Sequence, residues 1–173
     1  MTALASCGTL LIAAEGPFLR FHHAKDSQYI LSKRVFKAQA VHGIRVFPEE
    51  NAHIIKLVIW GGRLICALEI HLPGQVGVQG LSLCFSNIAK ASDWILDLAP
   101  RPKSLDDDAQ CHKESCVAVT AHNALVQVKI ERRKSDTAQN TKCAHHTLIS
   151  HIDISLLTFR SQPNRCVCVR SYF

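Results

Sequence analysis

The sequence predicts an all-β fold built from short antiparallel strands. Apolar or alternating runs of about five to eight residues recur along most of the chain. Glycine and proline turn signals separate them. No amphipathic run of about ten or more residues stands out, so the helical crossovers of a parallel βαβ sheet are missing. A sandwich, a barrel or a propeller satisfies this pattern.

The elements follow in order. Leu10 to Ala14 is the first strand, and Glu15-Gly16-Pro17 is its turn, with Gly16 suited to a positive φ and Pro17 to a fixed one. Phe18 to His22, Tyr29 to Phe36 and Gly43 to Phe47 come next, the last stopped by Pro48 and Glu49-Glu50. Ile54 to Trp60 meets the tight-turn signal Gly61-Gly62. Arg63 to Ile70 then places Leu64, Cys66 and Leu68 on one face and Ile65, Ala67 and Glu69 on the other. A glycine-rich stretch with Pro73, Gly74, Gly77 and Gly80 leads to Leu81 to Phe85. Asn87 to Asp93 is the best helical candidate, but it is short and polar. Trp94 to Leu98 reads as a strand with Trp94, Leu96 and Leu98 on one face, and a polar loop runs from Arg101 to Glu114. Ser115 to Ala121 and Ala124 to Ile130 form a hairpin through the pair His122-Asn123. Beyond Ile130 the alternation fades, although Ile152 to Phe159 is one apolar run suited to a strand or a helix.

With 47% hydrophobic and 20% charged residues the chain is globular rather than disordered. It lacks the run of about 18 apolar residues that a membrane-spanning helix needs, so no membrane contact is expected. The opening apolar stretch is short, has no basic residue before it and runs into Glu15, which argues against a secretory signal. A cytoplasmic location is the expectation. Eight cysteines would suit a disulfide scaffold, yet Cys66, Cys84 and Cys116 sit in apolar runs where a free thiol packs as a small hydrophobe.

The net charge of +6 divides into +2 over residues 1–100 and +4 over residues 101–173. From Lys129 onward there are 8 basic and 3 acidic residues. Lys129, Arg132, Arg133 and Lys134 make a compact patch that could contact phosphates. No aromatic residue is interleaved there to stack on bases.

Catalytic motifs are missing: there is no Gly-x-Gly-x-x-Gly, Walker A, His-Glu-x-x-His or Gly-x-Ser-x-Gly. Gly74, Gly77 and Gly80 precede a strand rather than a helix, which does not suit phosphate. Asp93 and Asp97 flank Trp94, but four residues along a strand separate carboxylates by about 13 Å, too far for paired acid–base work. His42 and His122 each stand directly before a turn-type residue, Gly43 and Asn123. Cys111, Cys116 and Cys143 with His145 or His146 could supply a zinc set, at spacings that suit a core role for Cys116 better. No catalytic residue, cofactor or metal is expected.

Strand–turn–strand segments recur at intervals of about 50 residues, the interval of a propeller blade with extended loops. Ala13-Ala14-Glu15-Gly16-Pro17, Lys33-Arg34-Val35-Phe36 and Val41-His42-Gly43-Ile44-Arg45-Val46 resemble the start of one WD40-repeat family. It is the family of the accessory subunit of the methyltransferase that modifies the 2′-O-ribose of the tRNA wobble nucleotide, position 34. Val58-Ile59-Trp60-Gly61-Gly62-Arg63, Ser92-Asp93-Trp94-Ile95-Leu96-Asp97 and Ala121-His122-Asn123-Ala124-Leu125-Val126 continue the likeness in order. Together they cover roughly Leu10 to Ile130. The chain looks like an N-terminal fragment of a fungal member.

With roughly ten strands, the resemblance gives a partial propeller of two or three blades over residues 1–130, while the charge, serine and threonine content and lost alternation of residues 131–173 give an irregular, poorly ordered basic tail. It implies structural roles for Gly16, Trp60, Gly61, Gly62, Asp93, Trp94, Asp97, His122 and Asn123, with an aspartate near a strand end tying a turn to a histidine, His42 or His122, as in WD-type blades. It also implies a non-enzymatic scaffold whose partners are the methyltransferase and tRNA, the methyl donor belonging to the partner. Two other readings stand beside it: a small cysteine-rich secreted β domain, and a zinc-dependent nucleic-acid-binding module.

Overall fold

The computed structural model of the chain describes residues 1–47, 53–74, 80–101, 114–133 and 149–157. All regular structure among them is β, arranged in three antiparallel sheets. The first holds β1 (Ala3–Cys7), β2 (Leu10–Glu15), β3 (Phe18–His23) and β4 (Tyr29–Arg34) in sequence order. The second holds β5 (Gly43–Val46), β6 (Ile54–Gly61), β7 (Leu64–His71) and β8 (Ser82–Phe85), with the short β9 (Ala89–Lys90) also on β7. The third holds β10 (Ile95–Pro100), β11 (Glu114–Thr120), β12 (Leu125–Arg133) and β13 (Ile149–Leu156). Each sheet is an up-and-down meander, the repeating unit of a propeller-like arrangement.

The sheets stack face to face, and the side-chain period of two decides who meets whom. Leu10, Ile12, Ala14, Leu19 and Phe21 of the first sheet pack on Ile44, Leu57, Ile59, Cys66 and Leu68 of the second. The other face of the second sheet, with Val58, Trp60, Ile65 and Ala67, packs on Leu98, Cys116, Ala118, Val126, Val128, Ile130 and Ile152 of the third. The central sheet is therefore buried on both faces, and this is why β6 and β7 read as near-continuous apolar runs.

β8 and β9 form one interrupted edge strand. At the break Ser86 Oγ accepts the Ala67 N–H at 2.8 Å, while the Ser86 N–H donates to the Ala67 carbonyl at 2.9 Å. Asn87 Oδ1 then accepts the Ile152 N–H at 3.0 Å and stitches this edge to β13.

Three expectations need correction. Trp94, Leu96 and Leu98 do not share a face: a bulge between Ile95 and Asp97 shifts the alternation, so Ile95 and Leu98 are buried while Trp94 and Leu96 are exposed. The β11–β12 connection is longer than the pair His122-Asn123, because Thr120 N–H bonds the Ala124 carbonyl and Asn123, at φ 59°, closes a three-residue loop. Asn87 to Asp93, short and polar for a helix, holds β9 and a bend. The irregular tail does not begin at residue 131: β12 continues to Arg133 and pairs along its length with β13, whose Ile152 and Ile154 join the second core. Residues 134–148 and 158–173 lie outside the described residues.

Candidate functional site at the turn end of the sheets

The turns after β2, β6 and β11 each lie between the second and third strands of their sheet. Each carries one residue with positive φ: Gly16 at 56°, Gly62 at 57° and Asn123 at 59°. Glycine tolerates that backbone freely, and asparagine more readily than other side chains. The first two turns also join one sheet to the next. The Val41 N–H donates to the Gly16 carbonyl at 2.8 Å, and the Ile95 N–H donates to the Gly62 carbonyl at 2.8 Å.

Around Gly62 the side chains converge. The Gly62 N–H donates to His42 Nδ1 at 3.2 Å, and the His42 ring lies 6.0 Å from the Trp94 ring, tilted by 32°. Gly61 lacks room for a Cβ, which would overlap the Ala40 carbonyl oxygen. Gly43 is equally constrained, since a Cβ there would overlap the Trp60 indole. Trp60 is buried in the second core, and its Nε1 meets no hydrogen-bond partner among the described residues.

Asp93 ties two elements together. Its Oδ1 accepts the Trp94 N–H at 2.7 Å, and its Oδ2 accepts both the His122 N–H at 2.9 Å and the ring N–H at His122 Nδ1, 2.8 Å away. The His122 ring contact is the largest cause, followed by the His122 N–H, holding the Asp93 carboxyl well below the usual carboxylate range; Trp94 and Thr120 add to the effect. The turn before β10 is thereby clamped to the turn after β11. The resemblance leaves Asp93 or Asp97 and His42 or His122 open for an aspartate–histidine tie, and the structure brings Asp93 to His122.

Asp97 plays a different part from Asp93. Arg45 on β5 donates from Nη2 to both Asp97 carboxylate oxygens, at 2.9 and 3.2 Å, and from Nε to the Leu98 carbonyl at 3.1 Å. The first strands of the second and third sheets are thus linked. Sequence reading missed Arg45; a lone arginine in a strand gives no signal of a partner 52 residues away.

Of the basic patch, Lys129 lies on β12 opposite Asp153 of β13. The backbones of Arg132 and Arg133 lie in the same strand, opposite Ser150 and Ile149, and Lys134 lies outside the described residues. Cys116 is buried in the second core; Cys111, Cys143, His145 and His146 lie outside the described residues. Among the described residues no three His, Cys, Asp or Glu side chains cluster as metal ligands do. No disulfide joins any two of Cys7, Cys66, Cys84 and Cys116. Burial pushes the Cys66 thiol up to about 11, and burial, with the Glu69 charge second, raises Cys84. Neither thiol is poised as a nucleophile. Among the described residues no helix is long and apolar enough to cross a membrane.

The site is a set of clamped turns and first strands. It can hold loops rigidly at one end of the sheets. No protein-family model matches the chain, and no curated protein matches it.

Proposed function

We propose that the chain is a non-catalytic, cytoplasmic scaffold subunit supporting 2′-O-ribose methylation of the tRNA wobble nucleotide by a partner methyltransferase. The observation that carries this reading is the ordered resemblance from Leu10 to Ile130 to the WD40-repeat accessory family. Its quoted segments supply the turn residues Gly16, Gly61, Gly62, Asp93, His122 and Asn123, which lie at sheet junctions and clamped turns. A meander of rigid sheets offers partner-binding loops, and among the described residues no glycine-rich loop lies between a strand and a helix to seat S-adenosylmethionine. The partner enzyme supplies the methyl donor and the chemistry. The basic excess assists tRNA approach through phosphates without selecting the wobble nucleotide.

The test is capture of the cognate methyltransferase by residues 1–173, alongside an assay of ribose methylation at position 34. The reading expects capture and partner-dependent methylation. Methylation by this chain alone, or loss of its gene with no change at the wobble ribose, overturns it.

A further inference from the structure

The chain has two tryptophans, and the fold treats them oppositely: Trp60 is 4% exposed and Trp94 is 52% exposed. The Trp94 backbone is nevertheless held from several sides. Its N–H donates to Asp93 Oδ1 at 2.7 Å, and its carbonyl accepts the Ala121 N–H at 2.8 Å. The next residue, Ile95, donates its N–H to the Gly62 carbonyl. The indole lies toward the second sheet, with the His42 ring 6.0 Å away at a tilt of 32°. Trp94 therefore sits at the junction of the second and third sheets, at their turn end.

That end is basic. Arg34 stands opposite Phe18 beside the first turn, and Lys37 lies in the link from β4 to β5. Arg63 follows Gly62 in the second turn, and Lys90 stands opposite Leu64. The acidic residues described there are already engaged: Glu15 pairs with Arg20 at 2.6 Å and Asp93 with His122 at 2.8 Å. Arg63 donates from Nε to the Ala91 carbonyl at 3.1 Å, and its Nη atoms meet no acceptor among the described residues. His122 has its Nδ1 on Asp93, and its Nε2 meets no partner among the described residues.

A clamped aromatic ring beside unpaired cationic donors matches a ligand that carries a flat base and a phosphate side by side. Single-stranded nucleic acid repeats that combination at every nucleotide, and stacking on an aromatic side chain is tolerant of sequence. A peptide of Asp and Glu offers the anion without the flat ring. Because the Trp94 backbone is fixed beforehand, stacking on it costs little further ordering.

We infer that Trp94, with His42 beside it, is a stacking platform for an unpaired base of RNA, and that Arg63 and the other basic residues of this end take the adjacent phosphates. The choice of RNA rests on the reading of the chain as a tRNA-supporting scaffold.

Fluorescence titration of the full chain tests this, because a stacked base quenches an indole and Trp60 is buried away from any base. The probes are a single-stranded RNA of about a dozen mixed adenosine and uridine nucleotides and a base-free polyanion, poly-glutamate of equal charge. The expectation is quenching by the RNA and not by the peptide, with affinity falling as salt rises. Trp94→Ala should keep the β circular-dichroism spectrum and weaken RNA binding about 5- to 150-fold, read by anisotropy of labelled RNA, and Trp94→Phe should recover part of that loss. Arg63→Gln should flatten the salt dependence and keep the quenching at saturation. No RNA binding by the wild type, equal affinity of wild type and Trp94→Ala, or equal quenching by poly-glutamate overturns the inference and leaves the scaffold reading standing. Trp94-dependent RNA binding without capture of the methyltransferase upholds the inference and overturns the scaffold reading alone.

Discussion

Replacing Gly43 by alanine asks whether the Trp60 ring is wedged. A Cβ at Gly43 would come within 3.0 Å of the Cζ2, Cη2 and Cε2 atoms of the indole. The ring must retreat by about 1 Å or more to regain the ~3.5–4.0 Å of normal carbon contact. It has nowhere to go, since it is buried between β5 and the third sheet among Val58, Ile65, Leu98 and Ala118. Overpacking of this kind costs about 1–3 kcal/mol. Against it stands a gain of about 0.5–1 kcal/mol from stiffening the unfolded chain. The net expectation is a loss of about 1–2 kcal/mol. Urea unfolding followed by circular dichroism reads this as a midpoint lowered by about 0.5–1 M for a slope near 2 kcal/mol/M. In a Trp60→Leu background the overlapping ring atoms are gone, so the same Gly43→Ala change should become neutral or stabilising. An equal loss in both backgrounds would show that the clash is not the cause.

Asp97→Ala should cost only about 0.2–1 kcal/mol and less in high salt, since the Arg45–Asp97 pair is half exposed; a salt-independent loss of several kcal/mol would contradict this. Asn123→Gly should be close to neutral and Asn123→Val destabilising by about 1–2 kcal/mol, because only the latter opposes a φ of 59°; equilibrium unfolding decides between them. Asp93 has a depressed folded pKa, so its contribution is complete above its unfolded value of about 3.9 and is lost as pH falls through the lower folded value. The stability gap between wild type and Asp93→Asn should therefore stay constant down to about pH 4 and shrink below it, as unfolding at a series of pH values will record. With its thiol raised to about 11, Cys66 should resist alkylation in the native protein at pH 8 and react only after unfolding, as peptide mapping after iodoacetamide would reveal.

Most strands were legible because a pleated strand imposes a period of two and a turn demands glycine, proline or asparagine. Leu10 to Glu15 and Ile54 to Gly61 needed no more than that. β1 was missed since Ala3, Ala5 and Cys7 are too small to stand out as an apolar face. The strand around Trp94 was found but its faces were misread, because a bulge is a property of pairing and leaves no mark in a single strand. β13 was read only as an apolar run, because Ile152 and Ile154 gain their meaning from Val128 and Ile130 across the ladder. In the site, Asp93 and His122 stood among the candidates that the WD-type resemblance offered for an aspartate–histidine tie, but which two would meet depends on how the turns approach across the sheet. The Arg45 bridge and the overlap that keeps Gly43 free of a side chain depend on the distance between sheets, which no local pattern encodes.

The doubly covered central sheet has a consequence during synthesis. By the time Ala67 has left the ribosome, the Val58, Trp60, Ile65 and Ala67 face is complete, but Ile152, which helps to cover it, follows about 85 residues later. At about 5–20 residues per second that delay is roughly 4–17 s. Over that interval the nascent chain exposes two long β-prone segments, Ile54–Gly61 and Leu64–His71, whose only acidic or basic residues besides His71 are Lys56 and Glu69. Such a chain calls for a holding chaperone on the emerging polypeptide, and its yield in a cell should track translation speed across residues 68–152 more closely than the equilibrium stability of the finished fold.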